Sequence, residues 1–262
     1  MLRCSVNGSI LLTGLPLGDR PAAIARAGFR AAEFWWPFAE AAPAESEVDQ
    51  FARALEDAGV QLTALNFFAG DMPNGERGVV CQPHRRAEFE ANVAVMVRLA
   101  ERLGCRAFNA LYGLPGEDRD LAEQTAIQNL TAAAAAVADF GGVVLLEPLS
   151  AVPDYPLRTA ADAIAVIDRL RADGVRNVKL LADFYHLAVN GDDVPAVIRD
   201  HAGEIGHVQI ADAPGRGAPG TGELPLREWI DQAEAAGYDG WVGLEYQSQA
   251  EDPFEWLEED AR

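Results

Sequence analysis

Two kinds of hydrophobic pattern alternate along the chain. Short apolar runs predict buried strands, namely RCSVN, FRAAEFWW, VQLTALN, CRAFNAL, VVLLEPL, VKLLADFYH, IGHVQIAD and WVGLEY. Between them lie segments with apolar residues at helical spacing, several ending at glycine, and PFEWLEEDAR is expected to supply a closing helix. Eight strand–helix alternations favour a closed parallel barrel over an open sheet. We therefore expect an α/β fold, a single (β/α)8 TIM-barrel domain spanning residues 1–262.

Length and charge narrow the possible functions. A chain of 262 residues with 49% hydrophobic content matches the usual size of one such barrel. The formal net charge of −20 opposes binding to nucleic acid or to anionic membranes, so neither is expected as a partner. No GxGxxG motif follows the first strand, which predicts that no nucleotide cofactor is bound.

The cysteine pattern and the N-terminal segment bear on location. Cys4, Cys81 and Cys105 show no CxxC spacing and are too few for a disulfide framework, which favours a reducing compartment. We read no signal peptide and no transmembrane run, so a cytoplasmic protein is expected. Barrels of this kind often associate, and a homo-oligomer is possible.

The residues at the ends of the predicted strands are mostly polar, and the carboxyl ends of barrel strands carry the chemistry of this fold. These residues are Asn7, Trp35, Asn66, Asn109, Glu147, Asp183, Gln209 and Glu245. Three carboxylates and one amide come from the last four strands, an oxygen-rich set that suits Mg²⁺ or Mn²⁺ better than zinc. The alternative interpretation is that each acid caps a following helix. This interpretation is weaker for Glu147 and Glu245, because no helix pattern starts directly after either residue.

Three further residues are candidates for contact with a small-molecule ligand. His186 follows Asp183 by three residues and either handles a substrate oxygen or makes a structural hydrogen bond. Arg216 lies in the segment APGRGAPGTGELP, which predicts a mobile loop, and either binds a substrate carboxylate or remains solvated. Trp35 either forms a pocket wall or packs under a loop.

The motifs together resemble one known family. The segments GFRAAEFWWPFAE, FFAGD, LLEPL, DFYH, GHVQIADAPGRGAPGTGEL and GYDGWVGLEYQ are similar to those of hydroxypyruvate isomerases, in the xylose-isomerase-like TIM-barrel superfamily. The resemblance implies metal ligation by Glu147, Asp183, Gln209 and Glu245, and proton transfer by Glu147 and Glu245. It implies substrate binding by His186, Arg216, Asn66 and Trp35. Ser150 departs from the asparagine usual in the family, which leaves open an effect of loop 150–156 on specificity.

The resemblance implies interconversion of hydroxypyruvate and tartronate semialdehyde through an enediolate, with an oxo-acid or sugar-acid substrate. Alternatives on the same scaffold are isomerases of longer oxo-acids such as 2-oxo-tetronate, ketose epimerases and inosose-type dehydratases. A barrel endonuclease needs a histidine-rich zinc cluster and a basic face, which four histidines and a charge of −20 disfavour. A non-catalytic binding protein is disfavoured because all four metal-ligand positions are retained.

Overall fold

The computed structural model describes residues 3–257. Eight parallel strands close into a barrel in which every strand pairs with its neighbours in chain order, and the last pairs with the first. The strands are β1 Cys4–Asn7, β2 Ala31–Phe34, β3 Gln61–Asn66, β4 Ala107–Asn109, β5 Val143–Leu146, β6 Val178–Asp183, β7 Ile205–Ile210 and β8 Val242–Leu244. This confirms the predicted TIM-barrel fold.

Helices connect the strands and surround the barrel. They are α1 Arg20–Arg26, α2 Glu45–Ala58, α3 Arg86–Leu103, α4 Arg119–Ala138, α5 Ala160–Ala172, α6 Phe184–Asn190, α7 Val194–His201 and α8 Leu226–Ala235. Each buries one apolar face, and α2 and α3 end at Gly59 and Gly104, whose left-handed φ of 65° and 72° glycine adopts without strain. Within residues 3–257, no helix has the length and apolar character that crossing a bilayer requires.

Strand register brings the candidate residues to one rim. Asp183 is the last residue of β6 and pairs with Gln209 of β7, and Asn66 pairs with Asn109 across β3 and β4. Glu147 and Glu245 directly follow the last residues of β5 and β8. All lie at the carboxyl end of the barrel, as the strand-end argument predicts.

Two predicted elements differ in the structure. The strand predicted over VKLLADFYH stops at Asp183, and α6 begins at Phe184 because the Asp183 side chain accepts the N–H groups that open this helix. The closing helix predicted over 253–262 is wrong for residues 253–257, which form turns, while 258–262 lie outside the described residues. Phe254 packs on Phe29 with ring centroids 4.7 Å apart, and the turn places this ring in the buried core.

Candidate active site

A cavity of about 950 Å³ opens at the carboxyl rim of the barrel. Six of the predicted site residues line it, namely Trp35, Asn66, Glu147, His186, Arg216 and Glu245. Asp183 and Gln209 are enclosed beside them, at 0% and 3% exposure. The structure therefore brings all eight predicted residues to one end of the barrel.

The two glutamates have matching surroundings. Asn109 donates from Nδ2 to Glu147 Oε2 at 2.6 Å, and Asn7 donates from Nδ2 to Glu245 Oε2 at 3.0 Å. Each asparagine lies at the end of the strand next to the glutamate it binds. One oxygen of each carboxylate is thus fixed by an amide, and the two Oε1 atoms have other neighbours.

Asp183 divides its two oxygens between structure and site. Its Oδ1 accepts the backbone N–H groups of Tyr185 at 2.8 Å and His186 at 3.3 Å, the helix-capping role considered for every acid here. Its Oδ2 is buried without a hydrogen bond, 3.6 Å from His186 Nε2 and 3.7 Å from Arg216 Nη2. Asp183 therefore caps α6 with one oxygen and keeps the other free of hydrogen bonds within the site.

The tautomer of His186 follows from its contact with Ser150. The backbone N–H of Ser150 donates to Nδ1 at 3.0 Å, and the Ser150 hydroxyl lies 2.7 Å from the same atom. Since a backbone amide only donates, Nδ1 carries the lone pair and Nε2 carries the proton. Burial lowers the pKa of His186 to about 4, against the opposing effect of Asp183. His186 is a neutral N–H donor facing the carboxylates.

Arg216 stands on a loop that is more organised than its glycine and proline content indicates. Asp212 is buried, and its carboxylate accepts N–H groups from Gly220, Gly222 and Leu224 at 2.9–3.0 Å. Arg216 Nη2 donates to Glu245 Oε1, and its guanidinium carbon lies 5.6 Å from the centroid of the Tyr185 ring. Arg216, predicted either to bind a substrate carboxylate or to remain solvated, is inserted among the site carboxylates.

Burial perturbs the ionisation of both glutamates. Desolvation, together with repulsion from Asp183, raises the pKa of Glu147 to about 8, although Asn109 and Arg216 act in the opposite direction. Desolvation also raises the pKa of Glu245 well above its usual value, with Arg216 partly offsetting it. Arg216 contributes a single positive charge beside the site carboxylates. Unless another cation binds, this charge does not offset their combined negative charge, and they are not all ionised.

The residues fit a hard divalent cation. Two of the four predicted ligands each present a buried oxygen without a hydrogen-bond partner, Asp183 Oδ2 and Gln209 Oε1. Gln209 donates from Nε2 to Glu33 Oε1 at 2.6 Å and to Glu245 Oε2 at 2.5 Å, which leaves its amide oxygen available. Orphaned buried oxygens beside carboxylates suit Mg²⁺ or Mn²⁺.

Glu147, Asp183 and His186 also form a buried cluster whose potential ligand atoms lie within 4.8 Å of one another. Such a cluster is a candidate metal site. The proton on His186 Nε2 disfavours histidine as a ligand, because a ligating nitrogen must present its lone pair.

Comparison with known proteins decides the family. Residues 21–262 match the family model described as xylose isomerase-like TIM barrel. The chain is 52% identical to a protein named putative hydroxypyruvate isomerase from Streptomyces coelicolor, over 99% of this chain and 97% of that protein. The chain belongs to the hydroxypyruvate isomerase family.

Other similarities agree with the family. The Escherichia coli protein named hydroxypyruvate isomerase is 33% identical over 95% of both chains. A 2-oxo-tetronate isomerase from Cupriavidus necator is 35% identical over 95% of this chain and 94% of that protein. A Brucella melitensis structure described as an AP endonuclease of family 2 superposes with a TM-score of 0.88, at 32% identity and 98% coverage of both chains.

These relatives establish the class of reaction that the protein catalyses. The protein is a hydroxypyruvate isomerase-like enzyme, a sugar or oxo-acid isomerase of the group that includes the 2-oxo-tetronate isomerases. The residue roles within the family site remain predictions.

The two remaining substrate-binding candidates lie on the cavity wall. Trp35 is half-buried just beyond β2, and its backbone N–H donates to Ser9 Oγ at 3.0 Å. Asn66 is the buried last residue of β3. Both stand where a bound molecule would touch them.

Sequence reasoning missed Glu33. This carboxylate, 1% exposed in β2, accepts from Asn7 at 3.0 Å, from Gln209 at 2.6 Å and pairs with His207 Nε2 at 2.6 Å. His207 is buried, and its contact with Glu33 lies in the barrel interior. The available signal was a lone acid within the otherwise apolar segment AAEFWW. Glu33 orients the amide of Gln209 from below the site.

Replacing Glu33 tests this orienting role. We expect Glu33→Gln to weaken Mn²⁺ binding by about 10–100-fold, as is usual when a group that orients a metal ligand is lost. The cause is that a neutral side chain holds the Gln209 N–H group less strongly. Isothermal titration with Mn²⁺ measures the change, and unchanged affinity in a folded variant contradicts the role.

Proposed function

We propose that the protein interconverts hydroxypyruvate and tartronate semialdehyde, with Mg²⁺ or Mn²⁺ bound. The observation that carries this proposal is the pair Glu147 and Glu245, two buried carboxylates that line one cavity, each with one oxygen held by an asparagine. Support also comes from the 52% identity to a protein named putative hydroxypyruvate isomerase.

Glu147, Asp183, Gln209 and Glu245 would hold the metal ion. When bound, it would supply positive charge beside the adjacent carbonyl and hydroxyl oxygens of the substrate, the chemistry that stabilises an enediolate. The oxygens of Asp183 and Gln209 that have no hydrogen-bond partner support their assignment as ligands.

The glutamates would move the protons. One carboxylate removes a proton from C3 of hydroxypyruvate, leaving the electron pair in a C2–C3 enediolate, and the other carboxyl returns a proton to C2. The C3 hydroxyl loses its proton and the C2 oxygen gains one, so the two isomers have the same composition and oxidation level. No redox cofactor is required.

Two further side chains would orient the substrate. His186, fixed as the Nε2–H tautomer by Ser150, would donate a hydrogen bond to a reacting oxygen. Arg216 would hold Glu245 through Nη2 and use its remaining N–H groups on the substrate.

A second candidate is isomerisation of a longer oxo-acid such as 2-oxo-tetronate. The favouring observation is the cavity of about 950 Å³, within the range that accommodates drug-sized ligands and far roomier than a three-carbon acid needs. The 35% identity to a protein named 2-oxo-tetronate isomerase also supports it.

A substrate panel tests the proposal. The purified protein with Mn²⁺ or Mg²⁺ is assayed on hydroxypyruvate, 2-oxo-tetronate and uncharged ketoses, with NMR detection of products. We expect the highest kcat/KM on hydroxypyruvate. Preference for 2-oxo-tetronate selects the second candidate, and turnover of neutral ketoses alone overturns both.

A further inference from the structure

The cavity wall carries four arginines, Arg20, Arg77, Arg85 and Arg216. Two of them are neutralised: Arg85 pairs with Glu76 and Glu88, and Arg216 pairs with Glu245. Within residues 3–257, Arg20 and Arg77 have no carboxylate within 4.0 Å. Both side chains are half-buried, so two guanidinium groups without a carboxylate partner line this cavity.

Arg20 is held rigidly by backbone oxygens. Its Nε donates to Leu15 O at 3.0 Å and its Nη1 donates to Gly8 O at 2.8 Å. A guanidinium has five N–H groups, so three remain after these contacts. No other hydrogen bond of this side chain is found among the described residues. The guanidinium is therefore oriented before any ligand binds, and its three remaining N–H groups and its positive charge are available to a ligand.

Arg20 lines the same cavity as the proposed reacting groups. Gly8, which anchors Nη1, directly follows Asn7, and the Asn7 side chain binds Glu245 Oε2 at 3.0 Å. Ser9, the next residue, lines the same cavity as Arg20 and Glu245. The guanidinium of Arg20, the first residue of α1, thus contacts the backbone just beyond β1, and β1 pairs with β8, the strand that precedes Glu245.

The other arginines are less suited to an anionic ligand. Arg216 already directs Nε to the Glu245 backbone oxygen and Nη2 to the Glu245 carboxylate. Arg77 keeps as many free N–H groups as Arg20, but it lies on the loop after β3, two strands away from β1, where its Nη1 binds the backbone oxygens of Met72 and Glu76. Partial burial lowers the pKa of Arg20, since desolvation disfavours its charged form and no carboxylate compensates.

We propose that Arg20 binds the carboxylate of the oxo-acid substrate and so determines preference for acids over neutral sugars. This inference rests on the proposed function and assigns the carboxylate to Arg20 in place of Arg216. A substrate carboxylate supplies the counter-charge that the protein withholds from Arg20, in the paired geometry that a guanidinium favours.

The test uses Arg20→Gln and Arg20→Lys, with Arg77→Gln as the matched control from the same cavity wall. D-glycerate, an unreactive three-carbon acid, serves as the binding probe in calorimetry on the Mn²⁺-loaded protein. Hydroxypyruvate kinetics give KM and kcat, while Mn²⁺ affinity and Tm report on the integrity of the site and the fold.

We expect Arg20→Gln to weaken glycerate binding and raise KM by about 10–100-fold, the effect of losing hydrogen bonds to a charged group. Arg20→Lys should recover part of the loss, and Arg77→Gln should match the unmutated protein. Mn²⁺ affinity should stay unchanged in all three.

Three results overturn the inference. They are glycerate binding in Arg20→Gln within twofold of the unmutated protein, an equal loss in Arg77→Gln, or a parallel fall in Mn²⁺ affinity and Tm that shows a structural role. If the unmutated protein does not turn over hydroxypyruvate, the proposed function fails, while the glycerate titrations still decide the role of Arg20.

Discussion

Glu147→Gln and Glu245→Gln should each lower kcat on hydroxypyruvate by roughly 10²–10⁴-fold, the usual contribution of a positioned acid or base. The amide keeps the size of the side chain and one oxygen for a metal ion, but it cannot accept or return the substrate proton. The hydrogen bonds from Asn109 and Asn7 reach only one oxygen of each glutamate, so the barrel should remain folded.

Isotope exchange separates the roles of the two glutamates. In D₂O, hydroxypyruvate loses its C3 proton signal when the base acts, even where reprotonation at C2 fails. We expect one variant to retain this exchange without forming product, and the other to abolish both, as followed by proton NMR. Glu228→Gln, on the exposed face of α8, is the matched control and should behave as the unmutated protein.

Near-normal turnover in both variants contradicts the proton-transfer roles. So does retention of C3 exchange in both without product, because removal of the proton then requires a different base. Tm and Mn²⁺ content should be measured on every variant, since loss of either explains lost activity by another route.

Removal of divalent ions should reduce activity to the background rate, and Mn²⁺ or Mg²⁺ should restore it. Three buried carboxylates with Arg216 as the neighbouring cation leave excess negative charge, and charge stabilisation of an enediolate depends on the ion that offsets it. Exhaustive dialysis against EDTA, followed by metal titration with activity and Tm as readouts, measures the effect. Full turnover after verified depletion contradicts the prediction.

The metal-free protein should also lose stability as pH rises from about 5 to about 8. The folded state keeps a proton on Glu147, whose pKa is raised to about 8, whereas the unfolded chain releases it near 4.5. The unfolded state therefore binds fewer protons in this window, so the free energy of unfolding falls with pH. Glu147→Gln should flatten this slope, and bound Mn²⁺ should remove the contribution of Glu147, because the carboxylate is then ionised in both the folded and the unfolded state across this window.

The site residues that the sequence predicted are those that stand at the carboxyl ends of the barrel strands. Glu147, Asp183, Gln209 and Glu245 were found because each ends an apolar run, and parallel strands bring such ends together. Glu33 lies inside β2 rather than at its end, at a register shift between Ala32 and Glu33 that no hydrophobic pattern shows.

Tertiary contacts decided the features that the sequence did not show. The glycine-rich loop is organised by Asp212, whose carboxylate accepts N–H groups from residues up to 12 positions away in the chain. The tautomer of His186 depends on Ser150, which is 36 residues distant. The C-terminal segment has helical spacing, yet residues 253–257 form turns with Phe254 buried against Phe29.

The central claim is that oxygen donors from the last four strands hold one divalent ion between the two glutamates. Anomalous diffraction from crystals grown with Mn²⁺ tests it most directly. We predict a single manganese peak coordinated by Glu147, Asp183, Gln209 and Glu245, with His186 Nε2 outside the coordination sphere. A peak at another place, or one ligated by His186 in place of Gln209, contradicts the account.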